Sequence, residues 1–195
     1  HGTTSALVFS TSHKVAAEAL FSAADGYNMA ITTGKVMMDC HAPDGVRDET
    51  EASYSESREL IERWHGKGRQ RYAVTPRFAA TSTVQQLTYA GQLVAEYPDV
   101  LMQTHWAENH AEIAWIKELF PERSSYLDVY DHFGLLGERS VLAHGIHIDD
   151  CLTWPAPAPP RCKWAWLLTS AAVPACRCSP PWLRLTRSVS CAARV

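Results

Sequence analysis

The run Val100-Leu-Met-Gln-Thr-His-Trp-Ala-Glu108 is apolar and strand-like, and it brings His105 to a strand end with Glu108 three residues further on. An imidazole at the C-terminal end of a buried strand can ligate a metal, and a carboxylate one short turn later can reach the same water to move its protons. A histidine in that position is also a common hydrogen-bonded structural residue. The pair gains weight from two other stretches: Thr75-Pro-Arg-Phe78 precedes it in the strand order, and Ala143-His-Gly145 follows it.

An alternation of apolar runs and amphipathic segments must position these residues. Thr4 to Ser10 reads as a buried strand, Lys14 to Tyr27 as a helix with Val15, Ala19, Leu20 and Ala23 at helical spacing, and Ala30 to Met38 as a second strand. Asp48-Glu-Thr-Glu51 fits a capping box, opening a helix that places Tyr54, Ser57, Ile61 and Trp64 on one face and ends near Gly66 and Gly68. Arg71 to Thr75 is a third strand, and Ser82-Thr-Val-Gln85 fits a second capping box, for a helix with Val84, Leu87, Ala90 and Val94 inward. Val100 to Thr104 is the fourth strand. Asn109-His-Ala-Glu112 caps a helix with Ile113, Ile116 and Leu119 inward, Tyr126 to Phe133 is a further helix, and Ser140 to Ala143 is the fifth strand.

Helices alternating with strands too apolar to have a wet face imply an α/β fold, a parallel sheet covered by helices. A doubly wound sheet and a barrel both satisfy the periodicity. The loops favour the barrel, because Arg77, His105 and His144 each sit just past the end of a different strand, and Thr11-Ser-His-Lys14 lacks the glycine fingerprint of a dinucleotide-binding turn.

Composition is ordinary on average, 46% hydrophobic and 20% charged over 195 residues, but it breaks after Asp150. Residues 1–150 carry 12 Lys+Arg against all 21 Asp+Glu, a net of −9. The remaining 45 residues hold six basic and no acidic residues, five of the six cysteines and seven of the eleven prolines. Residues 1–150 are therefore expected to form the folded body. Residues 151–195, with no helical or strand periodicity and too much Trp and Cys for an ordinary linker, are read as a tail translated out of frame. Cys151, Cys162, Cys176, Cys178 and Cys191 lack the spacing of a zinc knuckle and the basic residues are scattered, so no nucleic-acid partner is expected. No apolar run reaches the roughly 18–20 residues that span a bilayer, and no signal-peptide pattern is present, so no membrane is expected. A single body cysteine, Cys40, fits a reducing compartment, and the protein is expected to be cytoplasmic. His1 in place of Met reads as an incomplete or processed start.

Gly34-Lys-Val-Met-Met-Asp39, Ala42-Pro-Asp44, Ile61-Glu-Arg-Trp-His65, Tyr72-Ala-Val-Thr-Pro-Arg-Phe78, Thr104-His-Trp-Ala-Glu-Asn109 and Leu119-Phe-Pro-Glu-Arg123 together resemble the guanine deaminases, a branch of the amidohydrolase superfamily. The resemblance runs from about residue 2 to residue 150. It implies a partial (β/α)8 TIM-type barrel, roughly strands two to six, followed by a non-homologous C-terminal tail. It further implies one Zn2+ held in part by His105 and His144, Glu108 as the proton shuttle, and Arg77 and Phe78 holding the purine. The implied reaction is hydrolytic deamination of guanine to xanthine and ammonia, within purine catabolism, by a homodimer in the intact enzyme. On that resemblance zinc would lower the pKa of water from 15.7 to about 7, Glu108 would relay the proton, and the planar donors of Arg77 would favour a ring carbonyl over an amino group.

The residues keep plainer readings beside these. Glu108 also reads as a helix-start carboxylate, Arg77 as a salt-bridge partner, and His105 and His144 as structural histidines. His147 is expected to face away from His144, and His13, His41, His65, His110 and His132 receive no role. The family pattern also calls for a His-x-His pair on the first strand and a zinc-binding Asp on the last, and neither string occurs in this sequence. With two of about five ligands, zinc is expected to bind weakly and the chain to be inactive as a fragment. The alternatives are a related hydrolase of another aminated ring, a triazine or a pterin, and a non-catalytic partial barrel that binds a partner.

Overall fold

A computed structural model describes residues 2–147 and the backbone of Ala165–Leu167. The strands are β1 (Ser5–Phe9), β2 (Ala30–Gly34), β3 (Val36–Met37), β4 (Arg71–Pro76), β5 (Leu101–Trp106), β6 (Ser140–His144) and β7 (Ala165–Leu167). The helices are α1 (Lys14–Gly26), α2 (Thr50–Trp64), α3 (Val84–Glu96), α4 (His110–Leu119) and α5 (Tyr126–His132), with a 3-10 turn at Ala79–Thr81.

All pairings are parallel, and the sheet order β1-β2-β4-β5-β6-β7 follows the chain, with β3 also on β4. A doubly wound sheet reverses its strand order at a switch point, whereas a barrel winds one way. The sheet is also curved. In a flat sheet β1 and β5 would stand about 14 Å apart, three strand spacings. Here Gln103 on β5 donates its amide to the Val8 carbonyl on β1 at 3.0 Å, and the His105 and Phe9 rings lie 4.2 Å apart between centroids. The fold is an arc of a TIM-type barrel, with its concave face lined by Thr75, Gln103 and His105.

The second strand, expected as one run from Ala30 to Met38, is interrupted. Thr32 pairs with Arg71 and Val36 with Thr75 in the same register, so β2 and β3 occupy one strand position broken near Lys35. Gly34 permits the close approach there, since a Cβ would stand 1.9 Å from the Ala73 carbonyl oxygen. Lys35 then turns inward, 1% exposed, its ammonium bonded to Asp48 and 3.4 Å from Glu56. That ion pair ties the entry of α2 to the sheet.

The helices form where expected, but α1 buries a different face. In α1 the buried residues are Ala17, Phe21 and Ala24, while Val15 is 73% exposed and Ala19 and Ala23 face solvent. In α3 Leu87 and Ala90 are buried and Val94 is half-buried against the core as expected, Leu93 joins them, and Val84 alone of the expected set is turned out, 61% exposed. The inward reading of Leu119 fails as well, since it is an exposed residue of α4. Phe21 is the bulkiest apolar side chain of α1 and so sets its rotation. Two caps shift by one residue: Glu49 caps α2, accepting from Ala52 N–H at 2.8 Å, and Thr83 caps α3, accepting from Gln86 N–H at 3.2 Å. Asp48 is engaged by Lys35 and the Ser82 hydroxyl by the Met37 carbonyl. Asn109 caps α4 as expected.

The division at Asp150 and the out-of-frame reading of residues 151–195 lie outside the described residues. The exception is β7, where no strand was expected: its backbone pairs in parallel with Val141–Ala143 of β6.

Candidate active site

β4, β5 and β6 bring five chemically capable side chains to one end of the arc. Arg77 follows the last residue of β4, while His105 and His144 lie within the last two residues of β5 and β6, because both strands run further than their apolar cores indicate. The Arg77 carbonyl accepts from the His105 backbone N–H at 3.0 Å and from His105 Nδ1 at 2.8 Å. Committing Nδ1–H to a carbonyl fixes the tautomer and leaves Nε2 as the nitrogen with a lone pair for a metal. Burial, ahead of the nearby Arg77 charge, lowers the His105 pKa below its ordinary 6.5 and favours the neutral, ligating form.

His144 reaches the site through its backbone. In register Trp106 pairs with His144 and His105 with Ala143, and paired residues of a parallel sheet share a face. A regular strand would therefore put His144 on the face opposite His105. Instead His144 has φ +74° and Gly145 φ +57°, and the His144 ring stands 5.2 Å from that of His105. Ala107, at the end of β5, has φ +50°. A left-handed non-glycine residue costs about 1–2 kcal/mol. The two strand ends are clamped together by Gly145 N–H to the Trp106 carbonyl at 2.8 Å and Ile146 N–H to the Ala107 carbonyl at 3.0 Å.

Glu108 follows this bend, and its Oε2 is 3.6 Å from His144 Nε2. Arg77, Phe78, His105, Glu108 and Glu112 line a cleft of about 60 Å³, room for roughly four waters. Among the described residues the Arg77 guanidinium makes no ion pair, so its plainer reading as a salt-bridge partner has no support there. Phe78 meets Trp115 edge-on at 6.1 Å, and Trp115 packs against His41 at 5.2 Å, giving the cleft an aromatic wall. His147 packs on His110 at 3.9 Å instead of joining His144.

Glu112, noticed in the sequence only as a capping residue, is a nearly buried wall of this cleft. Burial raises its pKa, the Glu108 charge adds to the rise, and the Tyr126 hydroxyl offsets part of it. Tyr126 and Tyr130 on α5 lie behind the site and carried no sequence signal beyond helical spacing. Burial also holds both phenols above their ordinary range and so protonated.

Two imidazoles bound through one nitrogen each to a tetrahedral ion at about 2.1 Å place their ring centres roughly 5 Å apart, which the 5.2 Å separation of His105 and His144 meets. Among the described residues no third His, Cys, Asp or Glu joins them in a three-donor group.

The model of the amidohydrolase family matches residues 1–179. The chain belongs to the amidohydrolase family. Among its amidohydrolase relatives, the guanine deaminase of Escherichia coli is 52% identical over 150 residues, 77% of this chain and 34% of the relative. A solved structure of E. coli guanine deaminase superposes with a TM-score of 0.74 at 53% identity, covering 75% of this chain and 34% of that one. Guanine deaminase from C. acetobutylicum with bound guanine in its active site gives 0.72 at 32% identity, covering 75% and 35%. An atrazine chlorohydrolase from Arthrobacter aurescens, at 16% identity and TM-score 0.65, shares the fold. The chain spans about a third of the length of the curated relatives it matches.

Proposed function

We propose that this arc carries part of a guanine deaminase site, converting guanine and water to xanthine and ammonia. The observation that supports it most is the convergence, on three successive strand ends, of a guanidinium that makes no ion pair among the described residues, an aromatic ring, two imidazoles and a carboxylate. Likeness to proteins named guanine deaminase at 52% and 40% identity favours guanine over a triazine, for which the likeness is of fold alone.

Arg77 would donate to the guanine carbonyl, and Phe78 would pack on the ring. Adenine presents an amino group at that position and leaves the donors unmatched, which disfavours it. His105 and His144 would hold the metal, zinc by family resemblance; when bound it supplies the acidity that makes hydroxide available at neutral pH. Glu108 would take one proton from the attacking water and give it to the ring nitrogen, then take the second from the new hydroxyl and give it to the departing amine. The homodimer, the role in purine catabolism and the division of the chain at Asp150 rest on the same resemblance and on the compositional break.

With two imidazoles as described donors, the 195-residue chain is expected to bind guanine without appreciable turnover. Calorimetric titration of the zinc-supplied chain with guanine, adenine, melamine and pterin tests the reading. Guanine should bind in preference to the other three, and Arg77→Met should weaken guanine by about tenfold or more while changing melamine little. Equal affinity for guanine and adenine, or indifference to Arg77→Met, would overturn it.

A further inference from the structure

The phenol of Tyr130 sits where the segment bearing Arg77 and Phe78 meets the segment bearing His105 and Glu108. Its oxygen is 3.1 Å from Ala79 N, directly after Phe78, and 2.8 Å from the His105 carbonyl oxygen. It is also 3.1 Å from the Thr104 hydroxyl and 3.3 Å from the Tyr126 hydroxyl. A hydroxyl has one proton to give and two lone pairs to fill. Donating to His105 and accepting from Ala79 uses the proton and one lone pair on opposite halves of the site, and Thr104 or Tyr126 takes the other. Thr104 repeats the bridge more weakly, its hydroxyl lying 3.2 Å from the Arg77 carbonyl. Tyr130 is fully buried and rises from the outer helix α5, so none of this uses a group exposed in the cleft.

We propose that Tyr130 is a positioning residue: its hydroxyl fixes the substrate-holding strand end, Arg77-Phe78, against the metal-holding strand end, His105, so that each ligand is presented to the other. The role rests on the deaminase reading of those two strand ends. A bond to two backbone groups transmits position rather than charge, and it predicts coupling between the ligands rather than affinity for either. Tyr130→Phe removes the oxygen and keeps the ring that packs in the core.

The test is a reciprocal titration of the 195-residue chain with Co2+ and guanine, read by the visible absorption of Co2+ and by calorimetry. In the wild-type chain saturating Co2+ should tighten guanine at least fivefold, and guanine should tighten Co2+ by the same factor, as linkage requires. In Tyr130→Phe that factor should fall below twofold, with each separate affinity within threefold of wild type. A merely structural loss would lower the folded fraction and leave the factor intact. Should Tyr130→Phe not fold, Thr104→Val carries the test from the other side and should lower the factor partway. Retention of full coupling in the folded variant, or absence of coupling in a wild-type chain that binds both ligands, would overturn the positioning role alone. A wild-type chain that takes up guanine but no Co2+, or Co2+ but no guanine, would overturn the positioning role, and one that takes up neither would overturn the deaminase reading with it.

Discussion

His105 shows how one residue's surroundings prepare its chemistry. Its Nδ1–H is held by the Arg77 carbonyl and its ring is packed between Phe9 and His144, so burial holds the folded imidazole neutral below its ordinary 6.5. An unfolded chain then binds more protons than the folded one in the window just below pH 6.5, and stability must rise with pH across it. In the metal-free chain the His105 contribution is therefore complete above pH 6.5 and is lost as the pH falls below that value. Denaturant unfolding at pH 7.5 and pH 5.5 should show a smaller acid loss in His105→Gln than in the wild type. An equal loss in both would remove the argument. Glu112 has the opposite sign: its raised pKa adds stability that is present at acid pH and is lost as the pH rises past its folded value.

At the scale of elements, the buried pair of Lys35 and Asp48 joins strand to helix and explains why the α2 cap moved. Removing one member of a buried pair costs about 3 kcal/mol or more, whereas replacing both by apolar groups is often near neutral. Asp48→Asn should thus destabilise the chain by about 3 kcal/mol in urea unfolding, and the Lys35→Met, Asp48→Leu double variant by clearly less. A single variant within about 0.5 kcal/mol of wild type would show that the ammonium finds water instead. The same contacts mark where sequence reading stops. Strands were legible as short, mainly apolar runs between amphipathic segments, and Arg77, His105, Glu108 and His144 because they end or follow such runs. Helix rotation was not, since α1 has alanines on several faces and only packing shows that Phe21 sets the interior. Caps slipped by one where Asp48 and Ser82 were already bonded elsewhere. Glu112, Tyr126 and Tyr130 stayed hidden because their roles depend on distances between segments, and the left-handed turn at His144 because nothing in its side chain announces it.

The described residues form a one-way arc whose concave face gathers polar groups towards the C-terminal strand ends, the place where barrels of this kind carry their chemistry. Its amidohydrolase membership and its curvature agree: strand order alone permits a barrel, and the reach of Gln103 across to Val8 requires a curved sheet. None of the described helices is long and apolar enough to cross a membrane. The most direct measurement is a crystal structure of the 195-residue chain soaked with guanine and Zn2+. The expected density puts the guanine carbonyl within hydrogen-bond distance of the Arg77 guanidinium, its ring on Phe78, its amino-bearing carbon facing Glu108, and the metal on His105 and His144. Guanine bound elsewhere, or a metal on His110 and His147 with His105 and His144 empty, would contradict the account.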